Sequence, residues 1–271
     1  MSKGYAASVA VLISAMYIIT SVSGGKYDHQ RLTTARQVKT ARRIPQPRND
    51  LDNIIVKALE VLRGLMPKGI SELGVPVLEP FRLSHHGLNI QSELATISGS
   101  LDDLTIANLS TFRLKHISSD IENLKEDFVF SFGRITVSGL YNITGEMIDS
   151  VSVFGNGAFS LIVDGLMVGG RVRLARENGT DNNPAKIDEL LIRFSIKAMQ
   201  SNSENFMGGG EMGDLMNNVV SESAPQFIHQ HQEELSSLLA TAMQDLLNPL
   251  LEQYTIKQIL DLLDVRQTMK N

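Results

Sequence analysis

Glu189-Leu190-Leu191-Ile192-Arg193-Phe194-Ser195-Ile196-Lys197-Ala198 alternates between apolar and polar. Leu190, Ile192, Phe194, Ile196 and Ala198 fall on one side of an extended chain, and Glu189, Arg193, Ser195 and Lys197 on the other. A period of two residues is that of a β-strand, and one greasy side with one wet side is that of a sheet laid over a core. The same period recurs from about Phe81 onward, in Phe128, Phe130 and Phe132 and again in Phe159, Leu161 and Val163. Glycines interrupt these runs at 133, 139, 145, 155, 157, 165, 169 and 170, and the apolar parity passes from odd to even between Val163 and Val172. Long antiparallel strands follow, bulged or bent at the glycines, in a strongly curved sheet.

On either side the period becomes helical. Leu51, Ile54, Ile55, Ala58, Leu59, Leu62, Leu65 and Met66 follow the i, i+3, i+4 rule. Asn49 or Asp50 can cap that helix, and Pro67 and Gly69 end it. Gly69–Leu83, holding Pro76 and Pro80, reads as an extended crossing. Ser201–Gly213 reads as a polar, Gly-rich connection. Residues 214–263 then carry one stripe of Ile228, Leu235, Leu238, Leu239, Ala242, Leu246 and Leu250. Pro225 is expected in a first turn, where its missing donor costs little, and Pro249 is expected to kink or break the helix. Residues 251–263 read as a last amphipathic turn or helix. Strands segregated from helices make the class α+β, a highly curved antiparallel sheet wrapped around a long C-terminal helix.

The chain has 271 residues, 42% of them hydrophobic, enough for a packed core. It contains no Cys, which excludes disulfides, thiol catalysis and Cys-ligated metals. The net charge of -5 argues against a nucleic-acid partner. Lys3 is the only charge in residues 1–24, where the uncharged run Ala6–Ile19 is followed by the small residues Thr20–Gly24. That is the pattern of an export signal cleaved after Ser23 or Gly24, and it is shorter than the roughly 20 apolar residues of a membrane span. Residues 25–49 form a basic, flexible arm carrying Lys26, Arg31, Arg36, Lys39, Arg42, Arg43 and Arg48. Residues 50–271 form the folded domain. Sequons at Asn108, Asn142 and Asn178 fit an exported, extracellular chain. Asn178 lies in a polar loop and is the favoured acceptor.

The run from Leu51 to Phe81 resembles the opening of the insect takeout and haemolymph juvenile-hormone-binding protein family, most clearly in Lys68-Gly-Ile-Ser-Glu-Leu-Gly-Val-Pro76 and Leu78-Glu-Pro-Phe81. Ile135-Thr-Val-Ser-Gly-Leu-Tyr-Asn-Ile-Thr-Gly145, followed by Gly155-Asn-Gly157, is similar to the family's Gly-x-Tyr-x-x-x-Gly strand pair. Leu215-Met-Asn-Asn218 is a third match, leading into the C-terminal helix. The resemblance implies a tubular lipid-binding fold, a half-barrel around an elongated apolar cavity, and a secreted carrier of a small hydrophobic ligand. It also implies a disulfide near the first helix, which this Cys-free chain lacks, so the mouth of the cavity is expected to be looser. Mite group-7 allergens are similar in architecture. They suggest the alternative of an extracellular interaction protein whose tube is filled by its own side chains.

The residues expected to line the cavity are Leu59, Leu62, Phe81, Phe130, Phe132, Tyr141, Phe159, Phe194, Phe227 and Leu235, the large side chains on inward parities. Tyr141 is the expected polar handle. No catalytic residue, metal or cofactor is expected, and the chain is read as a monomer. Gly208-Gly-Gly-Glu-Met-Gly213 matches the dinucleotide pattern, but that pattern needs a buried strand before it, and Ser201–Asn205 reads as loop. His229 and His231 would point about 200° apart on a helix, and His85 and His86 read as solvated.

Overall fold

The computed structural model describes residues 50–69, 77–147, 150–175 and 180–262. Residues 1–24, read as an export signal, residues 25–49, read as a basic arm, and Asn178 lie outside the described residues. The first helix, α1 (Asp50–Leu65), turns Ile55, Leu59, Leu62 and the following Met66 into the core. It ends as its composition requires: Gly69 takes a left-handed φ of 71° and its N–H returns to the Leu65 carbonyl at 2.9 Å.

Among the described residues nine strands follow: β1 (Phe81–Gln91), β2 (Ala95–Ala107), β3 (Arg113–Asp120), β4 (Lys125–Ser131), β5 (Arg134–Met147), β6 (Val151–Asp164), β7 (Met167–Leu174), β8 (Ile187–Ser195) and β9 (Ala198–Ser203). All named pairs are antiparallel. They form two sheets, one of five strands in the order β1-β2-β5-β6-β9 and one of four in the order β3-β4-β7-β8. The chain passes between the sheets along a seam. There Phe132 N–H donates to Leu166 O (2.8 Å), Gly165 N–H to Gly133 O (2.7 Å) and Lys197 N–H to Asp164 O (2.9 Å). Backbone pairing across the seam makes the two sheets one folded surface.

The seam corrects the reading of residues 189–198 as a single strand. Leu190 and Ile192 are buried on β8, but the strand stops at Ser195, and Ala198 is an exposed residue opening β9 in the other sheet. The parity change between Val163 and Val172 has the same origin, since β6 and β7 belong to different sheets. Register shifts occur at Asp102/Thr105, Leu114/His116 and Arg173/Leu174, not at glycines. The glycines serve close approach instead: a Cβ on Gly139 would sit 2.8 Å from the Asp102 carbonyl.

The C-terminal helix is divided into α2 (Gly210–Gln230), α3 (Gln232–Leu251) and α4 (Ile256–Leu262). Ser201–Ser203 belongs to β9, and α2 begins at Gly210, so Pro225 sits inside a helix rather than in its first turn. Pro249 also lies inside a helix, and α3 ends two residues beyond it. On α3 the buried side chains are Leu239, Met243, Leu247 and Leu251; Leu239 belongs to the expected stripe, and the side chains of Ala242, Leu246 and Leu250 lie outside the described ones. Before α4, Thr255 and Gln258 form a capping box: Thr255 N–H donates to Gln258 Oε1 (2.8 Å) and Gln258 N–H to Thr255 Oγ1 (3.1 Å).

Candidate functional site

The core is built where α1 and α3 face the sheets. Leu59, Leu62, Phe81, Phe130 and Phe132 are buried there together, with Phe112 standing edge-on to Phe130 at 5.9 Å. Phe159 and Phe194 are half-buried and pack against this cluster. Arg63 ties α1 to it, donating to the Phe112 carbonyl at 2.9 Å with its guanidinium 4.5 Å above the Phe112 ring. Phe227 and Leu235 are placed elsewhere. They are half-buried near the junction of α2 and α3, where the Phe227 ring lies 4.6 Å from that of His231.

The five-stranded sheet extends beyond this core. Past the register shift at Asp102/Thr105, the face that carries Tyr141 also carries Leu88, Ile90, Ile97, Leu101, Ile143 and Met147, all half-buried and all outside the main cluster. Here the inner face is apolar without being closed core. Tyr141 is itself buried, edge-on to Phe159 at 6.0 Å. Its ring needs glycine neighbours, since a Cβ on Gly155 would come 2.5 Å from the hydroxyl. Burial first, and the Glu204 charge second, raise the hydroxyl's pKa and keep it a donor. That donor is already used, by the Glu204 carbonyl at 2.6 Å.

Reading both histidines as solvated holds for one of them. His85 points outward and meets Asp102 at 2.5 Å, and Ser100 donates to the other carboxylate oxygen at 2.9 Å. Asp102 is held below the ordinary carboxylate range by His85 and then by Ser100. The carboxylate stands between ring and hydroxyl, so the ring cannot act as base toward Ser100. His86 points the other way, onto the inner face, and its Nε2 is shut off from solvent. The alternation of β1 contained that signal: His86 shares the parity of Leu88 and Ile90.

The motifs also acquire structural reasons. Glu79 of Leu78-Glu-Pro-Phe81 accepts the N–H groups of Asn108 (2.9 Å) and Ser110 (2.7 Å), and its own N–H reaches the Met66 carbonyl (3.2 Å). It thereby joins the end of α1 to the turn after β2, and that turn contains the Asn108 sequon. Asn142 lies exposed at mid-strand in β5. The run 208–213 does follow a strand, β9, and does open a helix, contrary to the expected loop. However, β9 pairs antiparallel with β6, and the N–H groups of Gly208, Gly209 and Gly213 are taken by the carbonyls of Asn205, Phe206 and Gly209. An antiparallel edge strand is not the buried parallel strand that the dinucleotide pattern requires before its glycines. Among the described residues no His, Cys, Asp and Glu grouping could hold a metal.

The family described as haemolymph juvenile hormone binding protein matches residues 31–261. The crystal structure of takeout 1 from Epiphyas postvittana is similar, with a TM-score of 0.54 and 16% identity over 74% of this chain and 91% of that one. The crystal structure of lipopolysaccharide binding protein aligns at a TM-score of 0.32 and 16% identity, over 73% of this chain and 38% of that one. No curated protein matches the chain by sequence.

Proposed function

The chain belongs to the haemolymph juvenile hormone binding protein family, and we propose that it is an extracellular carrier of a small hydrophobic ligand such as a terpenoid or fatty acid. The observation that carries this reading is the half-buried apolar face of β1, β2 and β5 beyond the main core. A monomeric protein that keeps such a face on the inside of its sheet has surface to offer an apolar guest. The site so defined takes Tyr141 and Phe159 at its boundary with the core. Phe130, Phe132, Leu59, Leu62, Phe81 and Phe194 form its packed floor, and Phe227 and Leu235 lie at the helix junction. A guest hiding roughly 300 Å² would gain about 7 kcal/mol gross, reduced by ordering costs.

The family name speaks of haemolymph, and among the described residues no helix is long and apolar enough to cross a membrane. With the export pattern of residues 1–24, this supports secretion, with glycosylation at Asn178 ahead of Asn142. Binding of the fluorescent probe N-phenyl-1-naphthylamine to delipidated protein tests the carrier reading. Saturable binding, displaced by long-chain lipids and indifferent to added salt, is expected. Probe binding that disappears with salt would point to the basic arm and an anionic surface instead. No probe binding at all would favour a tube filled by its own side chains.

A further inference from the structure

We propose that His86 is the hydrogen-bonding anchor of this ligand site, and that the guest is an apolar body carrying a hydroxyl or carbonyl oxygen near one end. The proposal rests on the carrier reading above. Strand register places His86 opposite Leu101, and Leu101 opposite Tyr141, so the three form one row across the inner face. Along the strands the row is flanked by Leu88, Ile90, Ile143 and Met147, which offer no polar side-chain atom able to satisfy an imidazole. The Tyr141 hydroxyl is engaged by Glu204. His86 Nε2 is buried and has no hydrogen-bond partner among the described residues.

An unpaired polar atom on an apolar face costs free energy that folding alone gives no reason to tolerate. His85, one residue earlier, shows that the chain can satisfy an imidazole where the ring faces outward. A guest oxygen supplies the missing partner. Nε2 donates or accepts according to tautomer, so a hydroxyl suits either form and a carbonyl suits the protonated nitrogen. Adjacent strands are about 4.8 Å apart, which sets His86 about 10 Å from Tyr141. A guest anchored at His86 therefore lays its body over Leu101 toward the Tyr141–Phe159 ring pair.

The test displaces N-phenyl-1-naphthylamine from the full chain with decan-1-ol and, separately, with decane. His86→Leu is expected to weaken decan-1-ol by about 3- to 10-fold, the worth of one hydrogen bond, and to leave decane as good or better. His86→Gln, whose amide reaches close to the Nε2 position, should retain most of the alcohol affinity. Undiminished decan-1-ol binding in His86→Leu would overturn the assignment, and so would equal loss of both ligands in His86→Leu and His86→Gln. If the unaltered chain binds neither compound nor the probe, the carrier reading itself fails. Binding that ignores residue 86 sinks the anchor alone.

Discussion

Beneath the first turn of α1 two acids meet. Asp52 is fully buried and its Oδ1 accepts the Ser119 N–H at 2.9 Å; Ser119 in turn stands directly across the strands from Glu126. Burial chiefly, then the charges of Asp52 and Asp127, push the Glu126 carboxyl up to about 7 from 4.5. The folded chain thus holds a proton that the unfolded chain releases near 4.5. Stability falls as pH rises from about 4.5 to about 7 and loses nothing further from this group above that. Because Glu126 is partly exposed, the change is about 1–3 kcal/mol. Glu126→Gln should flatten this slope in urea unfolding at pH 5 and pH 8; an unaltered slope would show that Glu126 ionises freely. Glu79 makes the opposite kind of contact, a carboxylate satisfied by two backbone N–H groups. Glu79→Ala should cost about 2–3 kcal/mol by thermal unfolding, and Glu79→Gln less. Neither Asp52 nor Glu79 could be assigned from the sequence, because their partners Ser119 and Asn108 lie 67 and 29 residues away. The aromatic positions Phe128, Phe130 and Phe132 were legible, since alternation alone turns them inward.

Helix α2 meets the sheet through Asn217. Its Oδ1 accepts the Ser203 N–H at 3.0 Å and its Nδ2 donates to the Ser203 carbonyl at 3.0 Å, so one side chain pairs with β9 as a neighbouring strand would. Ser221 extends the arrangement by accepting the Ser201 N–H at 2.8 Å. The open edge of the five-stranded sheet is thereby covered. Asn217→Leu should destabilise by about 1–2 kcal/mol, because it strands two half-buried backbone groups; a change below about 0.5 kcal/mol in urea unfolding would show that water replaces the amide. This attachment also explains why the element boundaries were misread. Glycines 208–210 and Pro225 are poor helix residues, but the tertiary hydrogen bonds of Asn217 and Ser221 hold α2 on the sheet in the turns before Pro225. Conversely, the break between α2 and α3 at His231 had a visible cue in Glu233 and Glu234, acids suited to a new N-terminus.

For the whole molecule the seam matters most. Three strand-to-strand passages bonded along it fold nine strands into one bent surface, with α1 and α3 on its core side. Phe194, just before the last passage, packs against that core. Phe194→Glu should cost about 3 kcal/mol in chemical unfolding; a neutral outcome would mean that the position opens to water. A guest at a hundred times its dissociation constant should add about 2.7 kcal/mol to the stability of the folded chain, read as a rise in Tm. Protein recovered from the medium should begin at Gly24 or Gly25, and intact mass will decide this. Recovery of residues 1–20 would mean that the apolar run is kept as an anchor.

The class and the order of elements were legible along the chain, because periods of 2 and 3.6 are local properties that can be counted. Alternation also marked most inward residues, and the motif resemblance pointed to the family. That the curved sheet is two sheets joined at a seam emerged from the folded chain alone, since a strand that changes partners keeps its alternation until the crossing. The fold likewise revealed that the Tyr141 hydroxyl is already engaged and that His86 Nε2 has no partner among the described residues. Hydrogen-bond satisfaction depends on groups tens of residues apart, and no spacing along the chain records it.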